Sequence, residues 1–222
     1  VIDKNPVSGS AQSALVKAIM DLKLNNARIG IDDQVIGRII DSAAISARTI
    51  DADYALRRIR MIKSPREIEL MKLAATVNAE AAIAAASSLR LGATLHELRA
   101  SFFSQFGIRG NTPLFMQIDT IMSEVYNMEF KEGSGFAIDA VSQGLHYTGD
   151  YGRTVFIGEP LKSMRRATDA IAIGWGAVRE KLKPGMRYSE IKEIGRRAIK
   201  SAGYDLAVAV TPHSVGLCHT DE

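Results

Sequence analysis

The stretch Ile138-Asp139-Ala140-Val141-Ser142-Gln143-Gly144-Leu145-His146-Tyr147-Thr148-Gly149-Asp150-Tyr151-Gly152-Arg153-Thr154 decides how this chain is read. Two segments suited to β-strands, Ser134 to Val141 and His146 to Gly158, flank Gly144-Leu145. A two-residue hairpin with Gly144 at the positive φ of a type II′ turn pairs residues whose numbers sum to 289. Asp139 and Asp150 satisfy that sum, which predicts them directly opposite each other with Cβ atoms ~5 Å apart. Two carboxylates that close repel and do not both ionise at neutral pH unaided. One divalent cation, or a pair, would resolve the repulsion. Alternatively Arg153 neutralises the pair, or one aspartate lies in a loop; the segment by itself leaves these readings open.

A second group of metal-binding side chains lies downstream, in Thr211-Pro212-His213-Ser214-Val215-Gly216-Leu217-Cys218-His219-Thr220-Asp221-Glu222, after an apolar strand candidate at Ala207 to Thr211. The chain has only four histidines, and two of them fall in these twelve residues. Imidazole suits Zn, Mn, Co or Fe, and carboxylates suit the harder cations, so one histidine joining two aspartates makes a mixed oxygen and nitrogen site. The competing reading is a pair of ordinary loop histidines.

Upstream, helix signals dominate. Ser64-Pro65-Arg66-Glu67 combines a capping serine, a proline at the first helical position and the glutamate of a capping box. The helix it opens is predicted to run to about Arg90, alanine-rich and closely packed, with Gly92 ending it. Thr94-Leu95-His96-Glu97 repeats the box and opens a helix to about Phe106. Gly110-Asn111-Thr112-Pro113 reads as a turn, and Phe115 to Met122 as a strand. Helices are predicted over Ser163 to Leu182, stopped by Lys183-Pro184-Gly185, and over Ser189 to Ser201, stopped by Gly203. Before a boundary near Lys63, a helix at 11–24, a short strand at Ala27 to Ile31 and a helix at Gln34 to Ser42 form an α/β segment with few apolar positions.

Composition narrows the possibilities. The chain has 222 residues, 46% apolar and 24% charged, which is globular usage. No run reaches the ~20 apolar residues of a membrane span, and the start shows no signal-peptide pattern. A net charge of +3 argues for no nucleic-acid partner. Cys218, alone, forms no internal disulfide, which fits a reducing, cytoplasmic compartment. It reads as a packing residue, His96 as a solvated helix residue, and the run Lys192, Arg196, Arg197 and Lys200 as wet surface. Gly133-Ser134-Gly135 precedes a strand and is no phosphate loop. The chain begins without Met and stops just after the histidine-rich turn, as expected for a piece of a longer polypeptide.

Asp139, ten intervening residues, Asp150, then Arg153-Thr154, and about sixty residues on His213-Ser214-Val215-Gly216, form an ordered set. Together with Lys63-Ser64-Pro65-Arg66-Glu67-Ile68-Glu69-Leu70-Met71, Leu182-Lys183-Pro184-Gly185 and Gly158, this set resembles the creatinase/prolidase/methionine aminopeptidase (M24) family of metallohydrolases. The resemblance implies an α+β pita-bread fold over 61–222, incomplete at its C-terminus. Residues 1–60 would be the end of a small creatinase-type α/β N-terminal domain. It further implies two divalent metal ions (Mn, Co, Zn or Fe), with Asp139 and His213 each on one metal and Asp150 bridging both. The ions would activate a water at neutral pH and polarise the scissile carbonyl. His219 would meet the substrate carbonyl or the oxyanion, acting with His213 in catalysis, and Tyr147 and Arg153 would support the ligands, with Tyr147 bordering the substrate.

The implied activity is cleavage of a peptide-like C–N bond next to proline, by an Xaa-Pro aminopeptidase or dipeptidase acting as a homodimer. A creatinase-like enzyme for a small non-peptide amide and a non-catalytic binding module are the alternatives. Three departures bear on this choice. Two further glutamate ligands would follow beyond Glu222, leaving three of five in this chain. No histidine lies between Asn111 and Ile138, where Tyr126 and Asn127 stand in the place of a substrate-side imidazole. His146 and Val141 each stand where glycine is usual, and His146 reads as a surface residue.

Overall fold

The computed structural model describes residues 10–43, 46–118, 129–204 and 212–221. The chain divides between Ile62 and Lys63 into two compact units.

The first unit contains α1 (Ala11–Asp21), β1 (Arg28–Ile31), α2 (Gln34–Ser42), β2 (Arg48–Asp51) and α3 (Asp53–Met61). Ser10 Oγ caps α1 by accepting the Ser13 N–H, and Asp33 Oδ1 caps α2 by accepting that of Val35. β1 and β2 pair in parallel, Arg28 beside Arg48, with α2 as the crossover that parallel strands require. Ile19, Ile40 and Ala47 are buried together, with Leu15, Ile29 and Ile31 against them. β2 and α3 escape a reading by pattern: β2 has four residues, and no side chain caps α3.

The second unit contains α4 (Pro65–Ser87), α5 (Leu95–Ile108), β3 (Thr112–Ile118), β4 (Gly135–Gly144), β5 (Tyr147–Phe156), α6 (Lys162–Lys181) and α7 (Tyr188–Ser201). Both predicted capping boxes form, at Ser64/Glu67 and at Thr94/Glu97. α4 ends at Ser87, before Arg90; Gly92 lies beyond it at φ +76° and donates its N–H to Phe130 O. The strands form an antiparallel sheet in the order β3-β4-β5. Met116 and Ile118 of β3 and Phe136, Ile138 and Ala140 of β4 share one core with Ala81, Ala82 and Ala85 of α4 and Leu98, Phe102 and Phe106 of α5.

Alternation along the strands therefore turns Phe115, Gln117, Asp139 and Val141 to the face away from the helices. The alanines bring α4 close to the sheet, and Gly149 completes the contact. A Cβ at that position would lie 2.5 Å from Ala74 O and 2.7 Å from Asn78 Cβ. Asn78, fully buried, donates from Nδ2 to Ala140 O at 2.6 Å, tying α4 to β4 next to Asp139. α6 and α7 pack on each other, with Ile199 against Gly174.

Two predicted details are corrected. Thr112 and Pro113 are strand residues of β3 rather than a turn, and the register against β4 shifts between Pro113 and Phe115. Proline is tolerated there because β3 is an edge strand with a bulge among the described residues. The β4–β5 hairpin turns at Leu145-His146, with φ +51° and +70°, and not at Gly144-Leu145. Gly144 pairs with Tyr147, so paired residues sum to 291 rather than 289: Asp139 lies opposite Gly152, and Asp150 opposite Val141. Gly144 is needed for close approach, since a Cβ there would lie 2.5 Å from Asn111 Oδ1. The predicted strand at Ala207 to Thr211 and the 119–122 part of the strand after Phe115 lie outside the described residues. Among the described residues no helix is long and apolar enough to cross a membrane.

Candidate metal centre

β4 and β5 supply the two aspartates. Directly opposite residues share a face, and so do residues two apart on one strand, so Asp139 and Asp150 lie on the same face in spite of the changed register. Asp150 is the charged neighbour that bears most on Asp139. Burial, and then the charge of Asp150, hold Asp139 above the usual carboxylate range, partly offset by His219 and His213. Asp139 thus holds its proton more readily than a free carboxyl when no cation is present.

The loop 212–221 supplies the imidazoles. His213 Nε2 is 3.5 Å and His219 Nε2 3.3 Å from the same oxygen, Asp150 Oδ2, and the two rings meet edge-on with centroids 4.9 Å apart. Asp150, His213 and His219 each offer a donor atom within 4.8 Å of the other two. The loop is held by Thr148 N–H donating to Gly216 O at 2.7 Å, Asp221 N–H to Ser214 O at 3.3 Å and Gln143 Nε2 to Leu217 O at 3.4 Å. Lys63 pairs with Asp221 at 2.9 Å. Phe115 of β3 meets the His219 ring edge-on at 5.4 Å.

These donors suit a divalent cation. His213 Nδ1 lies 3.1 Å from Ser214 O, so an imidazole that donates there keeps Nε2 directed toward Asp150 as the ring atom available to a cation. Donors ~2.1 Å from a shared tetrahedral ion lie ~3.4 Å apart, close to the separations found.

The structure brings together Asp139, Asp150, His213 and His219. It does not bring Tyr147 or Arg153 to them. Tyr147 donates to Glu67 Oε1 at the start of α4, 3.2 Å away, and its hydroxyl is held above its usual range by burial and then by Glu67. Arg153, opposite Ile138, stacks over the Tyr151 ring at 4.2 Å, on the opposite alternation from both aspartates. The supporting contacts of Tyr147 are therefore with a helix and not with a ligand. Cys218 is exposed rather than packed. Phe115 and Lys63 were not legible as site residues: the bulge that places Phe115 has no local signature, and no spacing rule links Lys63 to a residue 158 positions away.

The fold is that of the pita-bread metallohydrolases. The X-Pro aminopeptidase of Thermotoga maritima superposes with a TM-score of 0.82 at 22% identity, over 97% of this chain and 65% of that one. The prolidase of Pyrococcus furiosus superposes with a TM-score of 0.75 at 23% identity, over 90% and 64%. In sequence, the Xaa-Pro dipeptidase of Pyrococcus furiosus is 27% identical over 177 residues, 74% of this chain and 50% of the relative. The Xaa-Pro dipeptidase of Pyrococcus horikoshii is 26% identical over 68% and 46%. The chain thus spans about half the length of these curated relatives. Residues 69–222 match metallopeptidase family M24, and the chain belongs to that family.

Proposed function

We propose that this chain carries part of the active site of a metal-dependent peptidase cleaving the bond before proline in small peptides. The observation that carries the reading is the convergence of His213 Nε2 and His219 Nε2 on Asp150 Oδ2, with Asp139 beside Asp150 on the same sheet face. It is supported by relatives named Xaa-Pro dipeptidase and by membership of a metallopeptidase family. Asp139, Asp150 and His213 would hold two divalent ions, drawn from Mn, Co, Zn and Fe, with two further acidic ligands supplied outside this chain. Bound ions would supply Lewis acidity and an activated water.

The chain's own part is orientation. Asp139 and Asp150 present carboxylate oxygens from one sheet face. The Ser214 carbonyl fixes the tautomer of His213. His219 faces the same space and would donate to the substrate carbonyl as negative charge develops on its oxygen. The first 60 residues would be the end of a creatinase-type N-terminal domain, and the whole protein a cytoplasmic homodimer.

Metal analysis of the full-length protein, followed by assay on Xaa-Pro dipeptides and tripeptides, tests the reading. Stoichiometric uptake with proline-dependent cleavage supports it, and failure to take up Mn, Co, Zn or Fe overturns it. A second reading, a small non-peptide amide as substrate, is favoured by the lack of histidine between Asn111 and Ile138. Turnover of creatine-like amides without cleavage of Xaa-Pro peptides would select it.

A further inference from the structure

The imidazoles reach Asp150 from the loop 212–221, which is held against β5, and one of its holds comes from Lys63, the residue before the cap of α4. Lys63 Nζ lies 2.9 Å from Asp221 Oδ2; the lysine side chain is 11% exposed and the aspartate 1%. Charges this far from water are weakly screened, so the pair constrains both of the segments that carry it. The same carboxylate oxygen presses on Gly216, where a Cβ would collide with it and would lie 3.1 Å from Lys63 Cε. Gly216 O in turn accepts the Thr148 N–H at 2.7 Å, two residues before Asp150. A continuous path therefore runs from Lys63 through Asp221, Gly216 and Thr148 to the central carboxylate.

Lys63 itself is anchored. Ser64 and Glu67 lock the first turn of α4 in a capping box, and the other oxygen of Glu67 accepts from Tyr147 on β5. The start of α4 thus grips both the strand that bears Asp150 and the loop that bears the histidines.

We propose that Lys63 is a positioning residue of the metal centre, fixing the His213–His219 loop through its ion pair with Asp221 so that both imidazoles meet Asp150. The inference rests on the metal-centre reading above. It is tested on the full-length protein by cobalt(II) titration, followed by visible absorption, alongside thermal unfolding of the metal-free form. Lys63→Met is expected to weaken cobalt binding about tenfold or more and to shift the absorption bands, with Lys63→Arg recovering most of both. A Lys63→Met protein with a lower unfolding temperature but parental cobalt affinity and spectrum would show a structural ion pair only, and would overturn the inference. If that variant does not fold, Lys63→Met with Asp221→Leu removes both buried charges; weakened cobalt binding then supports the inference and parental binding overturns it. If the parent protein itself binds no cobalt, the metal-centre reading fails, a result separate from any difference between variants, and the inference falls with it.

Discussion

Asp139 meets Asp150 along a diagonal of the β4–β5 ladder, with Asp139 opposite Gly152 and Asp150 opposite Val141. Gly152 puts no side chain beside Asp139, and among the described residues a Cβ there would meet only Ile138 O within 4 Å, at 3.7 Å. The two carboxyls share one face of the sheet, near enough for the charge of Asp150 to raise Asp139, while both imidazoles approach Asp150.

The metal-free protein should therefore carry a pH signature. Asp139 binds its proton more tightly when folded than its ordinary value of 3.8. Between those two values the folded state holds more protons than the unfolded state, so this residue's contribution becomes less favourable as pH rises through that window. Metal-free Asp139→Asn is expected to gain unfolding temperature relative to the parent as pH rises from 4 to 7 (about 3 units across the carboxylate range). A constant difference across that range would contradict a raised Asp139.

The two histidines should separate by readout. His213→Ala and Asp150→Asn are expected to lose metal uptake, whereas His219→Ala keeps the metal and loses about a hundredfold in kcat, as for removal of one oxyanion donor. Metal analysis before the kinetic assay checks this. Loss of metal in His219→Ala would make it a ligand.

The hairpin turn carries strain at its two central residues. Leu145 and His146 both sit at positive φ, a conformation L-residues adopt at a cost. His146→Gly is expected to stabilise the protein by about 1 kcal/mol, seen as a higher denaturation midpoint with metal affinity unchanged.

Gly149→Ala should do the opposite. Its Cβ would meet Ala74 O and Asn78 Cβ, so α4 must retreat from β5 beside Asp150. Overpacking of this kind costs about 1–3 kcal/mol, and cobalt affinity is expected to fall with it. Denaturant unfolding and metal titration on one preparation measure both.

The cap of α4 carries more than the helix. Ser64→Ala should cost about 1 kcal/mol. Glu67→Ala should cost more than Ser64→Ala, because Glu67 also accepts from Tyr147. Equal losses in thermal unfolding would show that the Tyr147 bond contributes nothing.

Much of this architecture was legible before any coordinates. The boxes at Ser64/Glu67 and Thr94/Glu97 start their helices where the residues indicate, because a cap is a bargain between groups three residues apart. The shared face of Asp139 and Asp150 also survived a misplaced turn. Moving the turn by one residue changes each pairing by two, and strand faces repeat with period two. Gly144 misled because glycine signals both positive φ and close approach, and here Asn111 requires the second.

The sequence by itself determined the helix starts, the hairpin, the common face of the two aspartates and the order of motifs that marks the family. Tertiary structure alone decided that Asp139 and Asp150 meet diagonally, that Tyr147 and Arg153 turn from the donors, that Phe115 braces His219, and that Lys63 holds the histidine loop. The first set depends on interactions spanning a few residues, whose energies any local stretch carries with it. The second depends on which surfaces are buried together once α4, the sheet and the loop have packed, and no window of sequence contains all three.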